Sequence, residues 1–190
     1  LVPLALLVSG RYRPFLSWAA VCSLLAIACV IALGPAGLNN ALNTLEYGQT
    51  DTGQAHYTLT YVFGTGLVSY TLEGVQGIAA LVIAWRRRAD LNIVFALGIL
   101  GSLVFAFHLH QYDYVALILA VWLVLRTGPP IWHRLWLLLG VVPMLAISLG
   151  NPLPQLLWDF GWLVILALVA FKPAGASLSR KPDDPVEVAA

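Results

Sequence analysis

Apolar runs of roughly 17–20 residues follow one another along the chain, the length a helix needs to cross about 30 Å of hydrocarbon. Most of these runs lack the polar stripe that a helix in a soluble core presents. Composition agrees: 60% of the 190 residues are hydrophobic and 10% are charged, with a mean hydropathy of +0.85. A soluble domain carries about 25% charged residues. The sequence therefore predicts an all-α, polytopic transmembrane helix bundle. The net charge of +1 comes with no basic patch interleaved with aromatics, so no nucleic-acid partner is expected.

Runs and breakers divide the chain. Leu1–Ser9 is too short to span and reads as the end of a helix, with the chain expected to be a fragment and its N-terminal half a partner. Residues 10–14 form a turn, Phe15–Leu33 a span closed by Gly34-Pro35, and 36–66 an outer loop. Further spans are expected at Leu67–Trp85, Leu91–Phe107, Asp113–Leu125, Leu135–Leu149 and Gln155–Phe171. The expectation is thus about six full spans plus a truncated first one, a transmembrane domain over 1–171 and a disordered cytoplasmic tail over 172–190, which has too little apolar content to fold alone. Cys22 and Cys29, within one apolar run, read as small buried hydrophobes.

Charge partition tests that count. If links alternate sides and the turn at 10–14 is cytoplasmic, Arg11, Arg13, Arg86, Arg87, Arg88, Arg126, Arg134, Lys172, Arg180 and Lys181 all fall on the cytoplasmic side. The opposite side receives none of the ten basic residues. Positive charge near span ends is retained in the cytoplasm, and one wrong crossing would scramble the partition. The location implied is a cell (inner) membrane of bacterial type. Trp18, Trp85, Trp132, Trp136 and Trp158 fall near the expected interfaces, where the indole is favoured.

Polar residues of the outer side gather in two places. In the 36–66 loop, Leu38, Ala41, Leu42 and Leu45 recur at helical spacing opposite Asn39, Asn40, Asn43 and Thr44, which predicts an interfacial amphipathic helix. Glu46, Tyr47, Asp51 and His56 belong to the same loop, where substrate contacts tend to sit. The second place is the link containing His108, His110, Tyr112 and Asp113. Three readings compete for it. Asp113 can cap the next helix, with the histidines merely interfacial. Alternatively the group lines a site for an anionic, hydroxyl-rich substrate, with histidine donating to phosphate or moving a proton. A metal site is the third, though on a helix the two histidines of His-x-His point about 200° apart. Within spans, Glu73, with Gln76 one turn below, and Asp159 are acids whose desolvation is costly and which usually face a polar cavity.

A basic-aromatic turn (Gly10-Arg11-Tyr12-Arg13), a span ending in Leu33-Gly34-Pro35, an amphipathic segment running to Tyr47, a span ending in Trp85 and a basic cluster, and the string His110-Gln111-Tyr112-Asp113 occur in this order. Over Leu4–Arg126 the chain thereby resembles the C-terminal half of glycosyltransferase family 87, polytopic GT-C enzymes similar to polyprenol-phosphate-mannose-dependent mannosyltransferases. The resemblance implies transfer of a hexose, mannose by the family's pattern, from a polyprenyl phosphate outside the cytoplasm to a glycan or glycolipid acceptor. It implies membrane lipid and lipid-linked sugar as partners, and neither a cofactor nor a divalent metal. His110 and Asp113 become the expected catalytic residues, and His108, Tyr112, Glu73, Glu46, Tyr47 and His56 the expected substrate contacts. The family's catalytic acidic loop would lie upstream of Leu1, so this chain alone is expected to be inactive. It departs from the pattern in offering no outer Arg or Lys to hold a phosphate. A transporter or flippase, suggested by Glu73 and Asp159 within spans and by Pro143 as a kink, and a non-catalytic membrane subunit are the alternatives.

Overall fold

The computed structural model describes residues 1–50, 57–106, 109, 111–148 and 150–171. The described residues are helical throughout, with no strand among them. In chain order the helices are α1 (Val2–Val8), α2 (Tyr12–Thr50), α3 (Leu59–Phe63), α4 (Leu67–Arg86), α5 (Leu91–Val104), α6 (Val115–Leu125), α7 (Ile131–Leu139), α8 (Val141–Ser148) and α9 (Leu153–Ala170). A single 3-10 turn, Gln111–Tyr114, precedes α6.

Among the described residues, three helical segments are long and apolar enough to cross a membrane: Tyr12–Thr44, Leu67–Arg86 and Leu153–Ala170. They mark the chain as a membrane protein. The other apolar stretches form shorter helices, Leu91–Val104, Tyr112–Leu125 and Ile131–Met144. One of these is broken for a clear reason. Pro143 has no N–H to offer the Leu139 carbonyl, and the chain turns between α7 and α8 at Gly140. The break is filled by Trp158: a Cβ at Gly140 would lie 2.5 Å from its ring, and its indole N–H donates to the Trp136 carbonyl at 3.0 Å. Trp158 is therefore buried in the bundle, contrary to its expected interfacial place.

The helix expected to stop at Leu33 resumes after a kink. Gly34 sits at φ 62°, a conformation that costs glycine little, and Pro35 follows at a helix start, where its missing N–H is tolerated. Helical backbone then continues to Thr50, so the amphipathic repeat at 38–45 is helical, as its spacing predicts. The apolar part of α2 stands off the bundle: none of its apolar window is buried. For that reason Cys22 and Cys29 are exposed and not the buried hydrophobes the sequence suggested.

The core lies among α4, α5, α6 and α9, with α1 wedged beside α5. Lipid is as apolar as leucine, so helix association within a membrane depends on close approach and polar contacts more than on hydrophobicity. Small residues provide the approach here. A Cβ at Gly98 would fall 2.7 Å from the Val2 Cα, and one at Gly101 2.9 Å from the Ala80 Cβ. Asp90 caps α5 by accepting from the N–H groups of Asn92 and Ile93.

Every described arginine gathers at one end of this bundle. The Arg11 guanidinium donates to the Arg88 carbonyl at 3.4 Å, tying the α1–α2 turn to the end of α4. Arg86 lies 5.1 Å from the Phe171 ring beyond α9, and Arg126 lies 4.8 Å from the Trp122 ring at the end of α6.

Candidate functional site

At the opposite ends of the same helices lies a cavity of about 300 Å³. Its walls come from the chain ahead of α4 (Thr58, Leu59, Val62, Phe63), the first half of α4 (Leu72, Gln76), the end of α5 (Leu103, Val104) with Ala106 after it, and the first half of α9 (Leu153, Leu156, Leu157, Phe160). Most of this lining is apolar. The polar groups that converge on it are Asp159, Tyr114, Thr58 and Gln76.

Asp159 is held from its own helix. Gln155, one turn earlier, donates its amide N–H to the Asp159 carboxyl at 2.8 Å, and both side chains are buried. The Gln155 carbonyl oxygen has no partner among the described residues. Tyr114 is buried as well; its hydroxyl donates to the Tyr57 carbonyl at 3.1 Å, and the two rings meet edge to face. That bond ties the start of α6 to the segment before α3.

Glu73 sits beside this cavity with its carboxyl turned to α3. One oxygen accepts from the Thr60 N–H at 3.3 Å and the Thr60 hydroxyl at 3.2 Å. The other oxygen has no partner among the described residues. Glu73 is 1% exposed, so that oxygen is cut off from solvent. Either protonation state leaves something unsatisfied: the ion wants another donor, and the acid wants an acceptor. Ser69, at the start of α4, donates to the Gly64 and Gly66 carbonyls and so fixes the turn that presents Thr60 to Glu73. Gly64 takes φ 77° in that turn, which a residue with a side chain rarely adopts.

The sequence-predicted residues fall into three groups. Glu73, expected to face a polar cavity, is buried with its carboxyl on Thr60, beside the cavity and not among the residues that line it. Asp113 and Tyr112 lie in the 3-10 turn, so the residue that opens α6 is Tyr114 and not Asp113. Tyr112 is 68% exposed, and the tyrosine that lines the cavity is Tyr114. Glu46 and Tyr47 are on the helical backbone at the far end of α2. His56, His108 and His110 lie outside the described residues, and with them the expected catalytic histidine.

Sequence reasoning missed Tyr114, Thr58, Thr60 and Gln155, and ranked Asp159 below the site residues. Gln155 carried a legible signal, since an amide four residues before an in-span acid meets it on a helix. Thr58 and Thr60 carried none, because their role depends on a chain reversal before α4. No metal-binding group of three or more His, Cys, Asp or Glu occurs among the described residues. Compared with protein-family models, curated proteins and solved structures, the chain matches none.

Proposed function

We propose that this chain is the C-terminal membrane part of a family-87-like glycosyltransferase, moving a hexose, mannose by the resemblance, from a polyprenyl-phosphate donor on the extracytoplasmic side. The observation that carries this reading is the cavity: apolar walls suited to an isoprenoid chain, with a carboxyl, a phenol, a hydroxyl and an amide converging on it. Its place at the end of the bundle away from the arginines supports the assignment to the extracytoplasmic side. In this reading the chain crosses about six times. The tail at 172–190 is cytoplasmic.

In the transfer, a base removes the acceptor hydroxyl proton while the lipid phosphate leaves, and a donor must meet that phosphate. Every described arginine is at the other end of the bundle, which directs the donor role to His108 or His110. Asp113 lies close to them in sequence, and Asp159, in the cavity lining, offers an acceptor for sugar hydroxyls. The test is mannose transfer from polyprenyl-phosphate mannose in membranes carrying the full-length protein. His110→Ala or Asp113→Asn is expected to lower transfer by about 100-fold or more at wild-type expression. Unchanged transfer in both variants removes the assigned roles. Leu156→Trp, which fills the cavity, should raise the donor concentration needed; no change would detach the cavity from the donor.

The orphaned oxygen of buried Glu73 favours a second reading, proton-coupled transport. Substrate-dependent proton flux in proteoliposomes that disappears in Glu73→Gln, with no sugar transfer, would establish it in place of the first.

A further inference from the structure

The arginine-rich end of the bundle holds a second cavity, of about 190 Å³, far from the site described above. It is lined by Arg87 after α4, Ile93 on α5, Val124 at the end of α6, the 127–130 turn, His133 on α7, and Leu166 and Val169 on α9. Four helices and the residue that follows α4 thus close around one small space. Its chemistry is divided: an arginine and a histidine on one part, and Ile93, Val124, Leu166 and Val169 on the rest.

Both polar groups are disposed to donate. His133 is 3% exposed, and its Nε2 accepts from the Trp162 indole N–H at 3.2 Å. A neutral imidazole with Nε2 accepting carries its proton on Nδ1, so the ring has one N–H left to offer. Arg87 keeps most of its capacity. Its nearest acid, Asp90, stands 3.9 Å away, and one oxygen of that carboxylate already accepts the two N–H groups of the α5 cap. Among the described residues no acid lines the cavity. The rim is firm: Arg134 donates through Nε to the Pro129 carbonyl at 2.8 Å, and the Thr127 hydroxyl donates to the Val124 carbonyl at 2.7 Å.

Depth decides what such a cavity can take. Trp85, Trp122 and Trp132 are about half exposed at this end of the bundle, and Arg86 and Arg126 rest on Trp85 and Trp122. Exposed tryptophans with arginines over them mark the level of lipid headgroups. A cationic and N–H-donating wall at that level, continuous with an apolar wall reaching into the bundle, matches a phosphate joined to an acyl chain. A free phosphate would use only the first wall.

We propose that this cavity is a binding site for an anionic phospholipid, whose phosphate meets Arg87 and the His133 Nδ1–H and whose acyl root packs on Val124, Leu166 and Val169. It is independent of the transferase reading. It gives Arg87 a specific ligand in addition to its part in orientation.

The test is retention of phosphatidylglycerol against phosphatidylcholine by the full-length protein in neutral detergent, read by native mass spectrometry. Wild type should hold one phosphatidylglycerol in preference to phosphatidylcholine. Arg87→Gln should weaken that retention about fivefold, the contribution of one cation near a headgroup. Val169→Trp, which fills the apolar part and keeps every charge, should also weaken it. Arg88→Gln, beside the cavity but not lining it, should change it less than about twofold. Equal losses in Arg87→Gln and Arg88→Gln would mean diffuse attraction and overturn the site. So would equal retention of the two lipids, or retention unchanged in Val169→Trp. Displacement of the lipid by millimolar inorganic phosphate would identify a free-anion site and overturn the lipid assignment.

Discussion

Helices α2 and α4 are both long and apolar enough to cross a membrane, yet they are used in opposite ways. The apolar window of α2 has 0% of its residues buried, whereas 33% of the α4 window is buried, including Ser69, Glu73, Gly77 and Ala80. Small residues do not separate the two, since α2 is rich in alanine and also carries Ser17, Cys22, Ser23 and Cys29. What separates them is that α4 combines small residues with polar ones that find partners: Glu73 with Thr60, and Ser69 with Gly64 and Gly66. In lipid, more hydrophobicity brings no more packing, and the helix carrying an acid is the one drawn inside.

The largest effect that could break this comparison is steric. Gly98→Leu would place a side chain against the Val2 backbone, which cannot rotate away, and should cost about 3 kcal/mol or more of stability. Ala26→Leu, on the exposed face of α2, enlarges a side chain by the same kind of step and should cost within about 0.5 kcal/mol. Denaturation of the two full-length variants in detergent measures the difference. Equal losses would mean that α2 is as closely packed as α5.

Next in size is the polar contact. Glu73→Ala removes the acceptor of both the Thr60 N–H and the Thr60 hydroxyl in a buried place, and should destabilise by about 1–3 kcal/mol, read by the same denaturation. Glu73→Gln keeps a carbonyl oxygen for Thr60 and should recover most of the loss. If Gln behaves like Ala, the carboxylate charge and not the hydrogen bonding draws α4 inside. A smaller effect is expected from Trp162→Phe, which deletes the N–H donated to His133 while keeping most of the ring volume: about 0.5–1.5 kcal/mol by thermal melting.

These contacts also mark the limit of what the sequence discloses. Run length made the helical, membrane-embedded class legible, and the described arginines gather at one end of the bundle. Glu73 and Asp159 stood out because acids in spans are costly, and both are buried in polar contact. Tyr114 did not stand out, since one tyrosine in a Tyr-rich link looks like another until the 3-10 turn aims it inward. Hydropathy sees one apolar run over α7 and α8, while the backbone responds to a single missing N–H at Pro143, the kink the sequence offered there, by turning at Gly140. Periodicity reports on each helix alone, and the candidate site is made where α3, α4, α5 and α9 meet, with Tyr114 at the start of α6.

The smallest expected effect sharpens the comparison most. Ile31 on α2 is 77% exposed, so Ile31→Ala removes atoms that pack on little else among the described residues. In detergent, which covers apolar surface as lipid does, the change should stay within about 0.5 kcal/mol. The same truncation at Leu97 on α5, which is 0% exposed, should cost about 2–5 kcal/mol through the cavity it leaves. The ratio of the two carries the information. If Ile31→Ala approaches the cost of Leu97→Ala in the full-length protein, protein and not lipid covers α2, and its bare face is a helix–helix interface completed by another segment. If the ratio stays large, α2 is a lipid-facing helix whose hydrophobicity serves insertion alone, and the polar contacts of α4 and α9 are what hold the bundle in register.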